Sequence, residues 1–395
     1  MTVLALNAGS TSIKLALHDS QLRELWTASV AGVDSAEARM RTREGPESSI
    51  EELGSTSFAT ATRRLLQAFA HRWRGQAPVA IGHRVVHGGD IDADAVVLDA
   101  RIMERIARWG SLAPLHQHLN IAVIEAARHE FPRACHVACF DTGFHRFLPE
   151  NAHLVPLPER LRLLGLRRYG FHGLSFESVL QQLAADGAAI QSERVIAAHL
   201  GGGSSICAVR NGRSIETSMG VTPLSGLPMA TRCGDIDAGA LLHLLTSGEL
   251  DAAGLQEVLY QQSGLKALSG TSGDMKVLLE EMDSSAPARR AVNYYCYQAR
   301  RQIGSHTAAL EGVDRFVFTG GVGANAALIR QSICTPLAYL GIELDPVANS
   351  ANARTVSKAD SQVTVNVLQT NEEAVIAAKT LALATGTTPI QERNR

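Results

Sequence analysis

Two stretches of this chain, VLALNAGSTSIKLAL at residues 3–17 and VIAAHLGGGSSICAV at 195–209, can be laid over one another. Each reads as an apolar strand, a turn of small residues, a Ser-Ile step and a second apolar strand, matching to within one position. Small and hydroxyl residues cluster where the aliphatic pattern breaks, so each stretch is predicted to be a hairpin. The second hairpin continues through Asn211-Gly212 into a third strand. At 395 residues the chain exceeds one ordinary core, and a prior of roughly 100–200 residues per domain predicts two domains. A similar hairpin opening each half then points to internal duplication. The first loop is not a P-loop, because Gly9 is followed by Ser, Thr, Ser, Ile and Lys with no second Gly at the required spacing.

Hydrophobic residues make up 45% of the chain and charged residues 19%, which fits a globular protein. With a net charge of -2 and no long basic block, neither a nucleic-acid footprint nor a polybasic membrane surface is expected. No uninterrupted apolar run approaches the roughly 18 residues of a membrane helix. The N-terminal apolar run carries Asn7 and Lys14 and is not expected to be a signal peptide. Six scattered cysteines without CxxC spacing read as reduced thiols in a cytoplasm. Cys135 and Cys139 suit one strand face better than a metal knuckle.

Between the hairpins, IAVIEAARHEF has helical periodicity, and HVACFDTGF reads as a buried strand with Asp141 at its carboxyl end. RFVFTGGVGANAALIRQSI reads as a strand, a Gly-rich turn at 320–323 and a helix opening near Asn325, an arrangement that offers backbone N–H groups to an anion. EEAVIAAKTLALAT is a predicted final helix. DSAEARMRTREGPESS and the tail GTTPIQERNR are expected to be the least ordered segments. Alternating strands and helices make the class α/β.

Three segments gather groups that a core does not need. IGHRVVHGGD holds Arg84 between His83 and His87; RRYGFHGLSF holds Arg167, Arg168 and His172; GLPMATRCGDIDAGAL holds Arg232 before Gly234, Asp235 and Asp237. Arg is rarely fully buried unless paired, and a neighbouring Gly permits close approach by a ligand. Any one of these residues alone has an ordinary structural reading, and Asp141 could simply cap a helix. Together with two Gly/Ser hairpins and a Gly-rich strand-to-helix turn, they fit phosphoryl transfer.

LNAGSTSIKLAL, GHRVVHGG, APLH, FDTGFH, RRYGFHG, TSMGVTPLSGL, ATRCGDID and TNEEAVIAAKTL, in this order and from end to end, resemble the acetate kinases. The resemblance implies the duplicated fold shared by acetate and sugar kinases, heat-shock ATPases and actin: two βββαβαβα (ribonuclease H-like) lobes with a nucleotide cleft between them. It implies a first lobe of residues 1–143 plus 377–395 and a second of 144–376 that carries the nucleotide loops and a homodimer interface. The implied activity is Mg²⁺-dependent (or Mn²⁺-dependent) transfer of a phosphoryl group from ATP to acetate, giving acetyl phosphate and ADP.

Carried over position by position, the resemblance makes Asn7 and Glu372 the metal residues and Lys14 a phosphate or substrate contact. Arg84 and Arg232 match the arginines that hold the carboxylate and the transferring phosphoryl group. His172 matches a donor to an equatorial phosphoryl oxygen, His116 a second phosphoryl-side histidine, and Asp141 a strand-end carboxylate that orients an arginine or acts in proton and metal positioning. A carboxylate nucleophile is already ionised near neutral pH, so Asp141 is read as an orienting group and not as a base. Val86, Leu115, Phe171 and Pro223 match a small apolar pocket for the acid's methyl group, with Val86 favouring acetate over propionate. The implied nucleotide side comprises His199, Gly201, Gly202 and Gly203, then Asp274, Met275 and Lys276, then Gly320, Gly321, Val322, Gly323 and Ala324.

The chain departs from the family pattern at several points. HQH follows APL with Gln117 and His118 where an amide and a proline are usual; Gly202 replaces an Asn, Lys276 an Arg, Ala324 a Glu, and Cys233 a small polar residue. Most of these changes fall on the nucleotide side. They leave open a propionate-using or pyrophosphate-dependent carboxylate kinase, and a catalytically weak nucleotide-binding relative.

Overall fold

The computed structural model describes residues 1–9 and 11–386. Ser10, one of the first loop's hydroxyls, and the expected disordered tail from residue 387 onward lie outside the described residues. The chain divides into two compact units, Met1–Arg146 with Asn371–Arg395, and Phe147–Thr370. The expected boundaries at 143/144 and 376/377 differ from these, and the second would cut the helix Glu372–Ala384 in its first turns. A helix is a continuous hydrogen-bonded ladder, so all of it goes with the unit it packs on, and Glu372 belongs to the first unit.

The first unit holds strands β1 (Thr2–Ala8), β2 (Ser12–Asp19), β3 (Glu24–Ala31), β4 (Ala38–Glu44), β5 (Glu47–Gly54), β6 (Ala80–Val85), β7 (Ala95–Val97) and β8 (Cys135–Phe140). They form one sheet in the order β5-β4-β3-β2-β1-β6-β8-β7. The second unit holds β9 (Val195–Leu200), β10 (Ser204–Arg210), β11 (Arg213–Thr217), β12 (Arg315–Thr319) and β13 (Thr364–Val367), in the order β11-β10-β9-β12-β13. β1 is antiparallel to β2 and parallel to β6, and β6 is parallel to β8. In the same way β9 is antiparallel to β10 and parallel to β12, and β12 is parallel to β13. The run β3-β2-β1-β6-β8 is thus repeated, direction for direction, as β11-β10-β9-β12-β13, and the duplication read from the hairpins extends through five strands. Asn211 and Gly212 both have positive φ, as the tight β10–β11 hairpin requires.

The charged segment at 34–49, expected to be among the least ordered, instead contributes the β4–β5 hairpin at the sheet edge. Its apolar positions alternate: Ala38 and Met40 are buried, and Arg39, Arg41 and Arg43 are exposed. Arg39 pairs with Glu52 at 3.0 Å, and Arg43 pairs with Glu24 on β3. Period-2 burial outweighed composition here, and charge on an edge strand also resists unwanted pairing.

In β6, successive residues face opposite sides of the sheet. Ile81 joins Val123 and Ala127 of the helix Gln117–Glu130 in one core. Gly82 faces the helix Glu372–Ala384, where an added Cβ would come within 2.0 Å of Thr380 Oγ1 and 2.6 Å of Ile376 Cγ2. Only glycine lets this helix lie so close to the sheet. The second unit's core is built around the long helix Ala286–Leu310, whose Ala288, Val292, Tyr295, Ala299 and Ile303 pack with Ile206, Ala208 and Phe318 of the sheet.

The glycine run after β12 is a further difference from expectation. The helix begins at once, Gly320–Asn325, breaks at Ala326 and resumes as Ala327–Cys334. Gly320 takes φ +77° at the strand-to-helix corner, so one left-handed glycine does the work expected of a longer turn.

Candidate active site

In the first unit the candidate residues gather at the carboxyl ends of the adjacent parallel strands β1, β6 and β8, the edge of an open α/β sheet where ligands usually bind. Asn7 lies near the end of β1, Arg84 near the end of β6, and Asp141 directly after β8. Asp141 is almost fully buried and grips Arg84 with both oxygens: Arg84 Nη2 donates to Oδ2 at 2.7 Å, and Nε donates to Oδ1 and Oδ2 at 3.2 and 3.1 Å. Arg84 Nη1 donates to Asn7 Oδ1 at 3.1 Å and lies 3.8 Å from Glu372 Oε2. Asn7 Nδ2 in turn donates to Glu372 Oε2 and to Glu373 Oε1, both at 2.9 Å. Lys14 stands directly across the hairpin from Asn7 and reaches Glu373 at 3.7 Å. Asn7, Lys14, Arg84, Asp141 and Glu372 therefore form one connected group.

Burial works against the Arg84 charge, but Asp141 and Glu372 outweigh it and hold the guanidinium above the ordinary arginine range. Burial also pushes the Asp141 carboxyl up to about 6, against the pull of Arg84, with Glu372 adding to the rise. The group thus holds a fixed guanidinium whose fork is partly committed to Asp141, with two glutamate side chains beside an amide.

Glu373 is a member that sequence reasoning missed; its place next to Glu372 in a helix's first turn was the available signal. Gln117, a departure from the family pattern, is fully buried and satisfied: it accepts from His87 N at 3.1 Å and donates to the carbonyls of His87 and Ile106 at 2.9 and 3.0 Å. It thereby fixes the backbone just beyond Arg84. Asn120 does the same for Val86, accepting its N–H at 3.1 Å, while its own amide donates to Ala8 O. His116 is buried at the start of the same helix, and Leu115 is half-buried before it. His83 is scaffold: its Nε2 meets His136 Nδ1 at 3.0 Å inside the sheet, and burial holds both rings below the usual histidine range.

The second unit carries a second group. His172 takes a left-handed conformation, φ 59° and ψ 25°, immediately before the helix Gly173–Ala185. Such backbone is uncommon for a non-glycine residue and is held by its surroundings. Its Nδ1 meets Ser205 Oγ at 2.8 Å, and its ring stacks on His199 with centroids 4.3 Å apart. His199 Nδ1 is fixed by Ser175 Oγ at 2.7 Å. His199 and Ser205 stand opposite one another across the β9–β10 hairpin, as Asn7 and Lys14 do across β1–β2. Ser205 and Ser175 were not singled out from the sequence, because a serine in a hairpin or helix carries no distinguishing pattern.

The loop Gly201–Gly203 joins this group to Arg232 and to the helix at Gly320. A Cβ on Gly203 would lie 3.3 Å from His172 Nε2 and 3.9 Å from Arg232 Nη1, and one on Gly201 would lie 3.7 Å from Gly321 N. Arg232 is buried, and its Nη1 donates to Pro223 O at 2.9 Å. Gly202 differs from its neighbours: a Cβ there meets nothing within 4 Å. Asp274 caps the helix Met275–Glu281, accepting from Lys276 N at 2.9 Å, while Met275 and Ala324 are packed in the hydrophobic core. The Met275 side chain is held in the core by burial of its apolar surface. Val322 packs partly against the same core. Val86 belongs to the first unit, whereas Phe171 and Pro223 belong to the second, all three buried. Arg168 donates to Thr217 O at 2.7 Å, Arg167 lies over the Tyr169 ring, Asp235 accepts from Gly226 N, and Asp237 caps the helix Ala238–Thr246. These four candidates hold local structure.

Comparison with known proteins agrees over the whole chain. The family described as the acetokinase family matches residues 2–378. An acetate kinase of Methylocella silvestris is 40% identical, with 96% of this chain and 97% of the relative covered. Among solved structures, a propionate kinase from Francisella tularensis superposes with a TM-score of 0.88 at 33% identity, covering 97% of this chain and 99% of that one. The acetate kinase of Porphyromonas gingivalis gives 0.84 at 32% identity, with 97% and 99% covered.

Proposed function

This chain belongs to the acetokinase family, and from that premise we infer that it transfers the terminal phosphoryl group of ATP reversibly to acetate, giving acetyl phosphate and ADP. The observation that carries the reading is the Arg84 group: a guanidinium fixed by a buried carboxylate at the strand ends, with an amide and two further carboxylates beside it. Attack of a carboxylate on a triphosphate brings two anions together, and the transition state spreads charge over three equatorial oxygens. Fixed cationic donors offset that charge without reorganising during the reaction.

In this reading Arg84 binds the anionic substrate and Asp141 orients it. Arg232, steadied by the Pro223 carbonyl, supplies a second guanidinium to the transferring group. His172, turned by Ser205, donates to a phosphoryl oxygen. Lys14 and His116 add contacts to anionic oxygen. The acceptor is already a carboxylate, so no general base is needed. Val86, Leu115, Phe171 and Pro223 supply apolar contacts to the methyl group. His199, the Gly201–Gly203 loop, Asp274, Lys276 and the backbone at Gly320, Gly321 and Gly323 serve the nucleotide.

Mg²⁺, or Mn²⁺ in its place, fits the chemistry of the donor set: Glu372 offers a hard carboxylate and Asn7 an amide whose nitrogen now donates to Glu372 and whose oxygen accepts from Arg84, so the amide would turn its oxygen to the ion. Mg²⁺ is usually held by one or two carboxylates plus substrate phosphates. When bound, the ion would offset the charge of the donor's phosphates. The same reading carries a homodimer and a cytoplasmic location, and the six free thiols fit a reducing compartment.

The likeness to the Francisella propionate kinase favours a second acceptor. One methylene changes binding by only about 1–3 kcal/mol, so use of both acids would be a matter of degree. The test is hydroxamate trapping of acyl phosphate with acetate or propionate and with ATP, GTP or pyrophosphate as donor. Turnover with acetate and ATP supports the proposal. Turnover only with another donor would transfer the reading to that donor, and none with any pair would leave a nucleotide-binding relative.

A further inference from the structure

The Ala286–Leu310 helix of the second unit contains four arginines and no acidic residue. Its exposed face runs through Arg290, Asn293, Tyr294, Tyr297 and Arg301 at successive turns. Arg289, Arg290, Tyr294, Tyr297 and Arg300 line a broad, open groove of about 900 Å³, with Ser332, Thr335 and Pro336 along its other side. Among the described residues, none of Arg289, Arg290, Arg300 and Arg301 forms an ion pair. Arg289 donates to Met282 O and Arg301 to Gln298 Oε1, both neutral acceptors. Arg300 and Arg301 stand over the Tyr297 ring at 5.7 and 6.0 Å. The Arg300 Nε is buried and makes no hydrogen bond.

This is an unusual use of charge in a chain whose net charge is -2. Like charges held together along one side of a groove repel one another, and a buried donor without an acceptor is unfavourable. The repulsion among the exposed guanidinium groups is relieved by the arrival of an anion. Guanidinium forks match phosphate and carboxylate oxygens two at a time, and several forks around one groove select for several anionic groups. We propose that this groove binds a small anion bearing two or more phosphate or carboxylate groups, at a site built from residues other than those assigned to phosphoryl transfer. A second copy of the chain is a poorer occupant, because a two-fold contact centred on this helix would set arginines against arginines.

The test is calorimetric titration of the full-length protein with inorganic tripolyphosphate and, separately, citrate, in saturating Mg²⁺ and ADP so that the nucleotide site is filled. Saturable binding of one anion per chain is expected for at least one probe, and the two arms separate phosphate from carboxylate recognition. Arg290→Gln and Arg300→Gln should each weaken it by about 10-fold or more, as expected for loss of a charged hydrogen bond. Phosphoryl-transfer kinetics without the probe should be unchanged in both variants. Thermal unfolding monitors their folding. The proposal fails if neither probe binds saturably at about 1 mM, or if binding is indifferent to both substitutions. It also fails if sedimentation shows that Arg290→Glu dissociates an oligomer, which would make the face a subunit contact.

Discussion

Replacing Gly82 with alanine is expected to push back the helix that carries Glu372. The new Cβ would lie 2.0 Å from Thr380 Oγ1, 2.6 Å from Ile376 Cγ2 and 3.2 Å from Ile376 O. Favourable contact between such atoms begins near 3.5 Å, so the helix must retreat by roughly 1–1.5 Å. Overpacking of this kind costs about 1–3 kcal/mol. In a unit of this size each kcal/mol lowers Tm by about 2–4 °C, so a fall of roughly 2–12 °C is expected by circular dichroism. The functional loss should be larger than the stability loss, because Glu372 and Glu373 at the helix start are bonded to Asn7. A misplacement of about 1 Å can cost on the order of 100-fold in kcat/KM, measured by hydroxamate trapping. Adding Thr380→Ala removes the closest clashing atom and should recover part of both losses, with a coupling energy of about 0.5–3 kcal/mol. If Gly82→Ala unfolds and turns over like the wild type, or if Thr380→Ala rescues nothing, the close approach is not what positions Glu372.

The pH profile offers a second test. Because the folded Asp141 carboxyl titrates at about 6 and not 3.8, the folded chain holds its proton more tightly, and its contribution to stability declines as pH rises through that window. Activity runs the opposite way: protonation releases Arg84, so kcat/KM should fall below pH about 6, and Asp141→Asn should remove that limb while lowering the plateau by about 10-fold or more. An unchanged limb in the variant would assign it to another group. Ser205→Ala should lower kcat by about 10-fold with little change in Tm, because it removes the bond that turns His172; an unaltered kcat would refute that orienting role. Gly202→Asn should leave thermal stability within about 0.5 kcal/mol, since its Cβ enters open space, and alter the KM for ATP alone; a change in the KM for acetate instead would contradict the nucleotide assignment.

What the sequence determined by itself was local or repeated. The two hairpins, the strand ending at Asp141 and the final helix are carried by short-range periodicity, and the duplication by two similar strings of residues. The ordered motifs brought the family and most of the candidate residues with them. The charged segment at 34–49 was misjudged because composition averages over the alternation of Ala38 and Met40, and that alternation has meaning only beside β3. The glycine run after β12 was read as a turn because glycine is poor inside helices, whereas here only Gly320 needs its freedom. Only the tertiary structure brought Glu373 to Asn7 across 366 positions, set Ser205 against His172, and required glycine at position 82. Those facts depend on which side chains meet, and a contact between distant residues leaves no periodicity in the chain for a reader to find.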